Sequence, residues 1–85
     1  MNPQELVRSI AMTLVDQPGA VKVNVIEGVQ RTVIELEVAK DDTGKIIGKK
    51  GRIADAIRTI LQAVSAKSRR HFSLEIIDFG KTDWR

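Results

Sequence analysis

Apolar residues recur along this chain in two periods, and the changes from one to the other divide it into six elements. Leu6, Ile10 and Leu14 fall every four positions with Val7 and Ala11 beside them, the spacing of one helical face. Asn2-Pro3-Gln4-Glu5 supplies a start: a capping residue, proline at the first helical position, and an acid three residues after the cap. Asp16-Gln17-Pro18-Gly19 is a strong stop. Val21, Val23 and Val25 then alternate with Lys22 and Asn24, and Ile34, Leu36 and Val38 with Glu35 and Glu37, which is the period of half-buried strands. Gly28 in the short segment between them predicts an antiparallel hairpin.

Asp41-Asp42-Thr43 predicts the cap of a short helical turn holding Lys45, Ile46 and Ile47, which Gly48 interrupts. Helix resumes after Gly51, with Ile53, Ile57, Ile60, Leu61 and Val64 on one face and Arg52, Asp55, Arg58 and Gln62 elsewhere. Lys67, Arg69 and Arg70 fall in or just beyond its last turn, where cations oppose the negative end of the helix dipole. Phe72, Leu74 and Ile76 alternate with Ser73 and Glu75 as a third strand. The order α-β-β-α-α-β predicts a two-layer α+β fold whose three-stranded sheet carries its helices on one face. Residues 1–85 read as one domain without repeat or linker, and residues 79–85, with Phe79 and Trp84, have no clear period and form a candidate flexible tail.

Composition narrows the class. With 42% hydrophobic and 29% charged residues, the chain is neither a disordered low-hydrophobicity segment nor a fibrous repeat. The absence of cysteine removes disulfides, Cys-based zinc and thiol catalysis, and suits a reducing cytosol. No apolar run approaches the ~20 residues that cross a bilayer, so the expectation is a soluble, cytoplasmic protein. Charge is uneven. Residues 1–42 carry four Lys/Arg against seven Asp/Glu, and residues 43–85 carry ten against four, so a net −3 precedes a net +6. Such a local excess suits a polyanion partner, and equally a solvated face; charge alone does not separate the two.

Gly48-Lys49-Lys50-Gly51-Arg52 is more specific. Two glycines let the backbone turn sharply and approach a ligand without a Cβ in the way, and the helix that follows presents free N–H groups and a positive dipole end. Lys49, Lys50 and Arg52 add mobile positive charge around that backbone, so phosphate is the ligand these residues suit. An isolated pair of glycines at this spacing is more often a plain helix connection; here its place between two helices in the basic half of the chain favours the functional reading.

Ile46-Ile47-Gly48-Lys49-Lys50-Gly51 resembles the hallmark of KH domains, an aliphatic-Ile-Gly-x-x-Gly loop between two helices. The element order resembles the type II, prokaryotic form, and the size together with Arg52-Ile53-Ala54-Asp55-Ala56-Ile57-Arg58 is similar to the stand-alone bacterial KhpA-like RNA-binding proteins. The resemblance covers nearly the whole chain, with Ala54 standing where many KH domains carry a larger aliphatic residue. It implies that the loop clamps single-stranded RNA across about four nucleotides while bases lie along an apolar groove. Gly48 and Gly51 would then shape the loop, Lys49 and Lys50 would meet phosphates, Arg52 would reinforce the site from the helix start, and Lys45 would belong to the same RNA-binding set. Ile46, Ile47, Ala54 and Ile57 are candidates for the groove wall or floor, although aliphatic residues at helical spacing, Ile57 above all, are more often core. It also implies RNA chaperone activity, self-association, a KhpB-type partner, and a role in cell-wall synthesis and cell length. With three aromatic residues in the chain, base stacking is not the main device and weak sequence selectivity is expected.

Enzymatic readings fit poorly. A phosphate-binding P-loop needs four residues between its first glycine and Gly-Lys-Ser/Thr, whereas Gly44 and Gly48 enclose three and Lys49 precedes another lysine. His71 is the only histidine and has no nucleophile motif attached, and Asp41-Asp42 reads as a cap rather than a metal pair. Neither cofactor nor metal is expected. The competing reading is a protein-interaction module whose basic loop is incidental.

Overall fold

A computed structural model describes residues 2–77, so Phe79, Trp84 and the expected tail lie outside the described residues. Helix α1 (Pro3–Leu14) begins as its sequence predicts: the Glu5 N–H donates to Asn2 Oδ1 at 2.9 Å and the Asn2 N–H to Glu5 Oε1 at 3.2 Å, a reciprocal capping box. Its buried line is Val7, Ala11 and then Val15, rather than the Leu6, Ile10, Leu14 row. Leu6 and Ile10 flank that line half-buried and Leu14 is exposed. The shift is one residue, or 100° of helix rotation, and it turns the small Ala11 into the core.

Strands β1 (Lys22–Glu27) and β2 (Arg31–Glu37) form the expected antiparallel hairpin, closed where the Gly28 N–H donates to the Arg31 carbonyl at 2.8 Å. Strand β3 (His71–Ile77) adds parallel to β2, giving the order β1-β2-β3. A parallel neighbour requires a crossover. Here it carries α2 (Thr43–Ile47) and α3 (Arg52–Ser68). Thr32, Ile34 and Leu36 are buried beneath the helices with Leu74, while burial falls from Val21, just before the first strand, through Val23 to an exposed Val25. Helix α3 buries Ala54, Ile57 and Leu61, with Ile53 and Val64 at the margins; Ile60, expected on the same face, is 42% exposed. Among the described residues no helix is long and apolar enough to cross a membrane.

The Asp41-Asp42 pair does something other than cap. Asp42 holds the cap position of α2 yet makes no capping bond. It is 1% exposed, and its Oδ2 instead accepts the Gln17 N–H at 3.0 Å, 25 residues away in sequence. Its Oδ1 lies 3.6 Å from Lys45 Nζ, which is also 3.3 Å from Asp16 Oδ2. The α1–β1 connection is thereby tied to the start of α2. The Asp16 carboxylate, through its hydrogen bond and its charge, raises the Lys45 pKa above the usual 10.5, with Asp42 adding to the effect.

Removing the buried carboxylate leaves the Gln17 N–H without its acceptor, a loss of about 1.5–3 kcal/mol for a hydrogen bond to a charged group. Asp42→Ala is therefore expected to lower the unfolding free energy by that amount, seen by circular dichroism as a lower urea midpoint at unchanged slope. Because its pKa is raised, the Lys45 contribution is present at neutral pH and lost as pH rises through the folded-state value above 10.5. The stability difference between wild type and Lys45→Met, measured by urea unfolding, should shrink as pH rises through that value.

Candidate nucleic-acid interface

Helices α2 and α3 meet through a single 3₁₀ turn, Lys49–Gly51. Gly48 has φ 78° and ψ 174°, a conformation essentially confined to glycine. A second constraint acts there too. An added Cβ would lie 2.6 Å from Ile53 Cγ1 and 2.8 Å from Ile53 Cβ, which is bonded to the backbone and cannot swing away. Gly51 is left-handed as well (φ 74°, ψ 13°), but a Cβ there would meet open space, so its requirement is conformational alone. Between them Lys50 is also left-handed (φ 58°, ψ 26°), which costs an L-residue about 1–2 kcal/mol.

The turn uses the Gly48 and Lys49 carbonyls, which accept from the Gly51 and Arg52 N–H groups. Lys49, Lys50 and Arg52 are exposed. Three cations and the N-terminus of a 17-residue helix thus converge on one short stretch.

Beside this loop, between α3 and the free edge of β3, lies a cleft of about 350 Å³ lined by Ile47, Gly51, Ala54, Asp55, Arg58, Glu75 and Ile76. Ile47, Ala54 and Ile76 make its apolar part. The Phe72 N–H donates to Ser65 Oγ at 2.9 Å, and Arg58 Nη2 donates to the Leu74 carbonyl at 3.4 Å. Backbone groups of alternate β3 residues therefore face α3, which directs those of Ile76 into the cleft. A smaller cleft of about 130 Å³ continues along the same seam, with Arg58 shared between the two.

The sequence-predicted residues separate into three groups. Gly48, Lys49, Lys50, Gly51 and Arg52 form the loop and helix start; Ile47 and Ala54 line the adjoining cleft, whose space the small Ala54 side chain helps to provide. Ile46 and Ile57 are buried in the core, and Lys45 is engaged with Asp16 and Asp42. Sequence reasoning missed Asp55, Arg58, Glu75 and Ile76 as cleft residues. No local signal marks them, because it is the parallel addition of β3 at the sheet edge that brings them opposite the loop.

A three-stranded mixed sheet carrying three helices on one face, with Gly-x-x-Gly joining the second and third, defines a type II KH domain. Residues 4–76 match the family model described as KhpA/KhpB, KH domain, and the chain belongs to that non-enzymatic family. It is 53% identical over 77 residues to an RNA-binding protein KhpA of Borreliella burgdorferi, covering 91% of this chain and 94% of that protein. With the RNA-binding protein KhpA of Caldanaerobacter subterraneus subsp. tengcongensis it shares 55% identity over 73 residues, 86% of this chain and 97% of the relative. Among solved structures it is similar to Aquifex aeolicus Era bound to GDP and aluminium fluoride, with a TM-score of 0.56 and 26% identity. That match covers 91% of this chain but 31% of the Era chain. Era in complex with MgGDPNP and nucleotides of 16S ribosomal RNA matches equally well.

The loop geometry predicts substitutions of opposite sign. Gly48→Ala adds a steric clash to an unfavourable φ and should cost about 2–4 kcal/mol. Lys50→Gly relieves the left-handed penalty, offset in part by glycine's extra entropy in the unfolded chain, for a net gain of about 0.5 kcal/mol, or some 2–4 °C in melting temperature. Differential scanning calorimetry of the two variants checks both signs.

Proposed function

We propose that this protein binds single-stranded RNA, holding the sugar–phosphate backbone on Gly48-Lys49-Lys50-Gly51 with Arg52 and laying bases into the cleft between α3 and β3. The observation that carries this reading is the convergence of exposed cations and a helix N-terminus on the lip of an apolar cleft. That pairing of a phosphate seat with a base-sized recess suits a splayed single strand, whereas a duplex keeps its bases stacked inside. The relatives named as RNA-binding protein KhpA, and the Era structure holding ribosomal RNA, point the same way. Family resemblance extends the proposal to RNA chaperone or post-transcriptional regulator in the cytoplasm, acting in cell-wall and cell-length control. Lys45, Ile46 and Ile57 act in this reading from behind, as supports of the loop and cleft floor.

A protein contact belongs to the same proposal. Ile10 and Leu14, with Ser9 and Thr13, line a shallow apolar recess on α1, beside an exposed Met12. This patch supports self-association or a KhpB-type partner, either of which would link a second four-nucleotide site to the first and raise affinity through effective concentration.

The decisive variant is Lys49→Asp with Lys50→Asp, which retains both glycines and reverses two charges at the phosphate seat. Its melting temperature should stay within a few degrees of wild type, since exposed substitutions change stability by about 0.5 kcal/mol. Its affinity for a fluorescent single-stranded oligonucleotide should fall at least ~10-fold, and the wild-type affinity itself should fall ~20-fold between about 50 and 200 mM salt if three phosphates are neutralised. Unchanged binding by a folded double variant would rule the loop out as the principal RNA contact.

A further inference from the structure

The turn that leaves α3 is built on a residue its backbone disfavours. Helix α3 ends on Arg69 in a left-handed conformation (φ 61°, ψ 25°), a place commonly taken by glycine or asparagine, which adopt it at least cost. A cation at that end opposes the negative pole of the helix dipole, but Lys67 already does so within the last turn and without the backbone strain. Arg70 follows. Its Nη2 donates to Thr32 Oγ1 on β2 at 2.8 Å, which holds the guanidinium across the end of the sheet with N–H donors left over. His71 then opens β3 in direct register with Arg31 of β2. Arg31, Arg69 and Arg70 are exposed, and among the described residues none of them is in an ion pair. Glu27, the hairpin partner of Thr32, is the acid of this end and leaves it net positive. Resting on the RNA-binding reading above, we infer that Arg31, Arg69 and Arg70 form a second phosphate seat, which takes the RNA backbone where the strand passes beyond the reach of the glycine loop.

The two seats stand at opposite ends of α3. That helix has 17 residues, so at a rise of 1.5 Å each they lie about 25 Å apart. The seam between α3 and β3 joins them: the cleft beside the loop and the smaller recess share Arg58, and the smaller recess is lined as far as His71, where the arginine turn begins. The open face of the sheet gives a polyanion no rival path. Ile34 and Leu36 are buried beneath the helices, so Glu35 and Glu37 lie on the other side of β2, and Glu75 shares that side through its register with Glu35. Three carboxylates there repel phosphate, whereas the seam leads from one group of cations to another. Not every cation at this end belongs to the seat. Lys67 is nine positions beyond Arg58, which at about 100° per residue puts it on the opposite side of α3 from the seam. A contact of this kind holds the backbone and carries no base preference, so it adds affinity and salt sensitivity on longer strands.

The test uses the full chain with single-stranded RNA of about four and about ten nucleotides, the shorter matching the span of the loop site, read by fluorescence anisotropy across a salt series. Each phosphate neutralised on a single strand adds about −0.7 to the log–log slope, so about three at the loop and two at the second seat give a slope near −3.5 on the longer strand. Arg31→Gln with Arg69→Gly should return that slope to about −2 and weaken the longer strand about 10-fold, while affinity for the shorter strand stays within about 2-fold of wild type. Glycine suits the left-handed cap, so this double variant should melt within about 3 °C of wild type. Lys67→Gln removes a charge from the far side of the same helix end and should leave the slope where it was. A wild-type slope retained by Arg31→Gln with Arg69→Gly, or a comparable fall in Lys67→Gln, would overturn the second seat while leaving the loop intact, provided the Lys49→Asp, Lys50→Asp variant still weakens both strands. Failure of wild type to bind either strand would overturn the RNA reading itself and this inference with it.

Discussion

Ile53 rests on the Cα of Gly48 so closely that any side chain at position 48 would overlap the first branch of the isoleucine. That contact fixes how far the chain can travel between α2 and α3, and the geometry of the site follows from it. Ile53 belongs to the first turn of α3 and packs against the core, so the start of the long helix is held against the end of the short one. With both helices fixed, three residues must reverse the chain, and they do so with two of them in left-handed conformations. The lysine among these is held out at the tip by the turn itself. Cationic side chains and the start of the long helix are thus presented together because the glycine beneath them permits so short a connection.

The parts of this structure legible in the sequence are those set by short-range stereochemistry. Asn2 and Glu5 announce the first helix because a capping box uses neighbouring residues, and Gly48 and Gly51 announce the loop because few other residues adopt those angles. The hairpin is legible for the same reason. What remained hidden depends on packing between distant segments. Periodicity places Leu6, Ile10, Leu14 and Ile60 on apolar faces, but the sheet decides which of two adjacent rows turns inward, and it selects Val7, Ala11 and Ala54 instead. Asp42 reads locally as a cap; its partner Gln17 lies far along the chain, so only the folded structure identifies the bond. The loop residues Gly48 to Arg52 were therefore visible one by one, whereas the cleft they border was not, since Glu75 and Ile76 arrive from another strand.

Charge is distributed over the molecule in a way that separates two tasks. Lys45 is occupied by Asp16 and Asp42 and serves the joint between α1 and α2. Lys49 and Lys50 have no such engagement among the described residues and stand free at the loop. Three lysines within six positions of sequence thus divide between architecture and surface according to whether a carboxylate lies within reach. Composition counts them alike. The exposed, partner-free cations carry less fold energy and remain available for a ligand's charge.

The parallel seat of β3 against β2 has a consequence for the order of folding. A hairpin and its covering helix can form from neighbouring residues, but β3 pairs with a strand that ends some thirty residues earlier, and its docking waits for the intervening helices to close that span. One wall of the cleft is the edge of β3. Until that strand docks, the loop has no recess beside it, so a growing chain that has made its glycine turn is still incomplete as a receptor. The cleft arrives with the last of the described elements to be synthesised, and a chain halted before His71 would carry the glycine turn and its cations without the strand edge that closes the recess beside them.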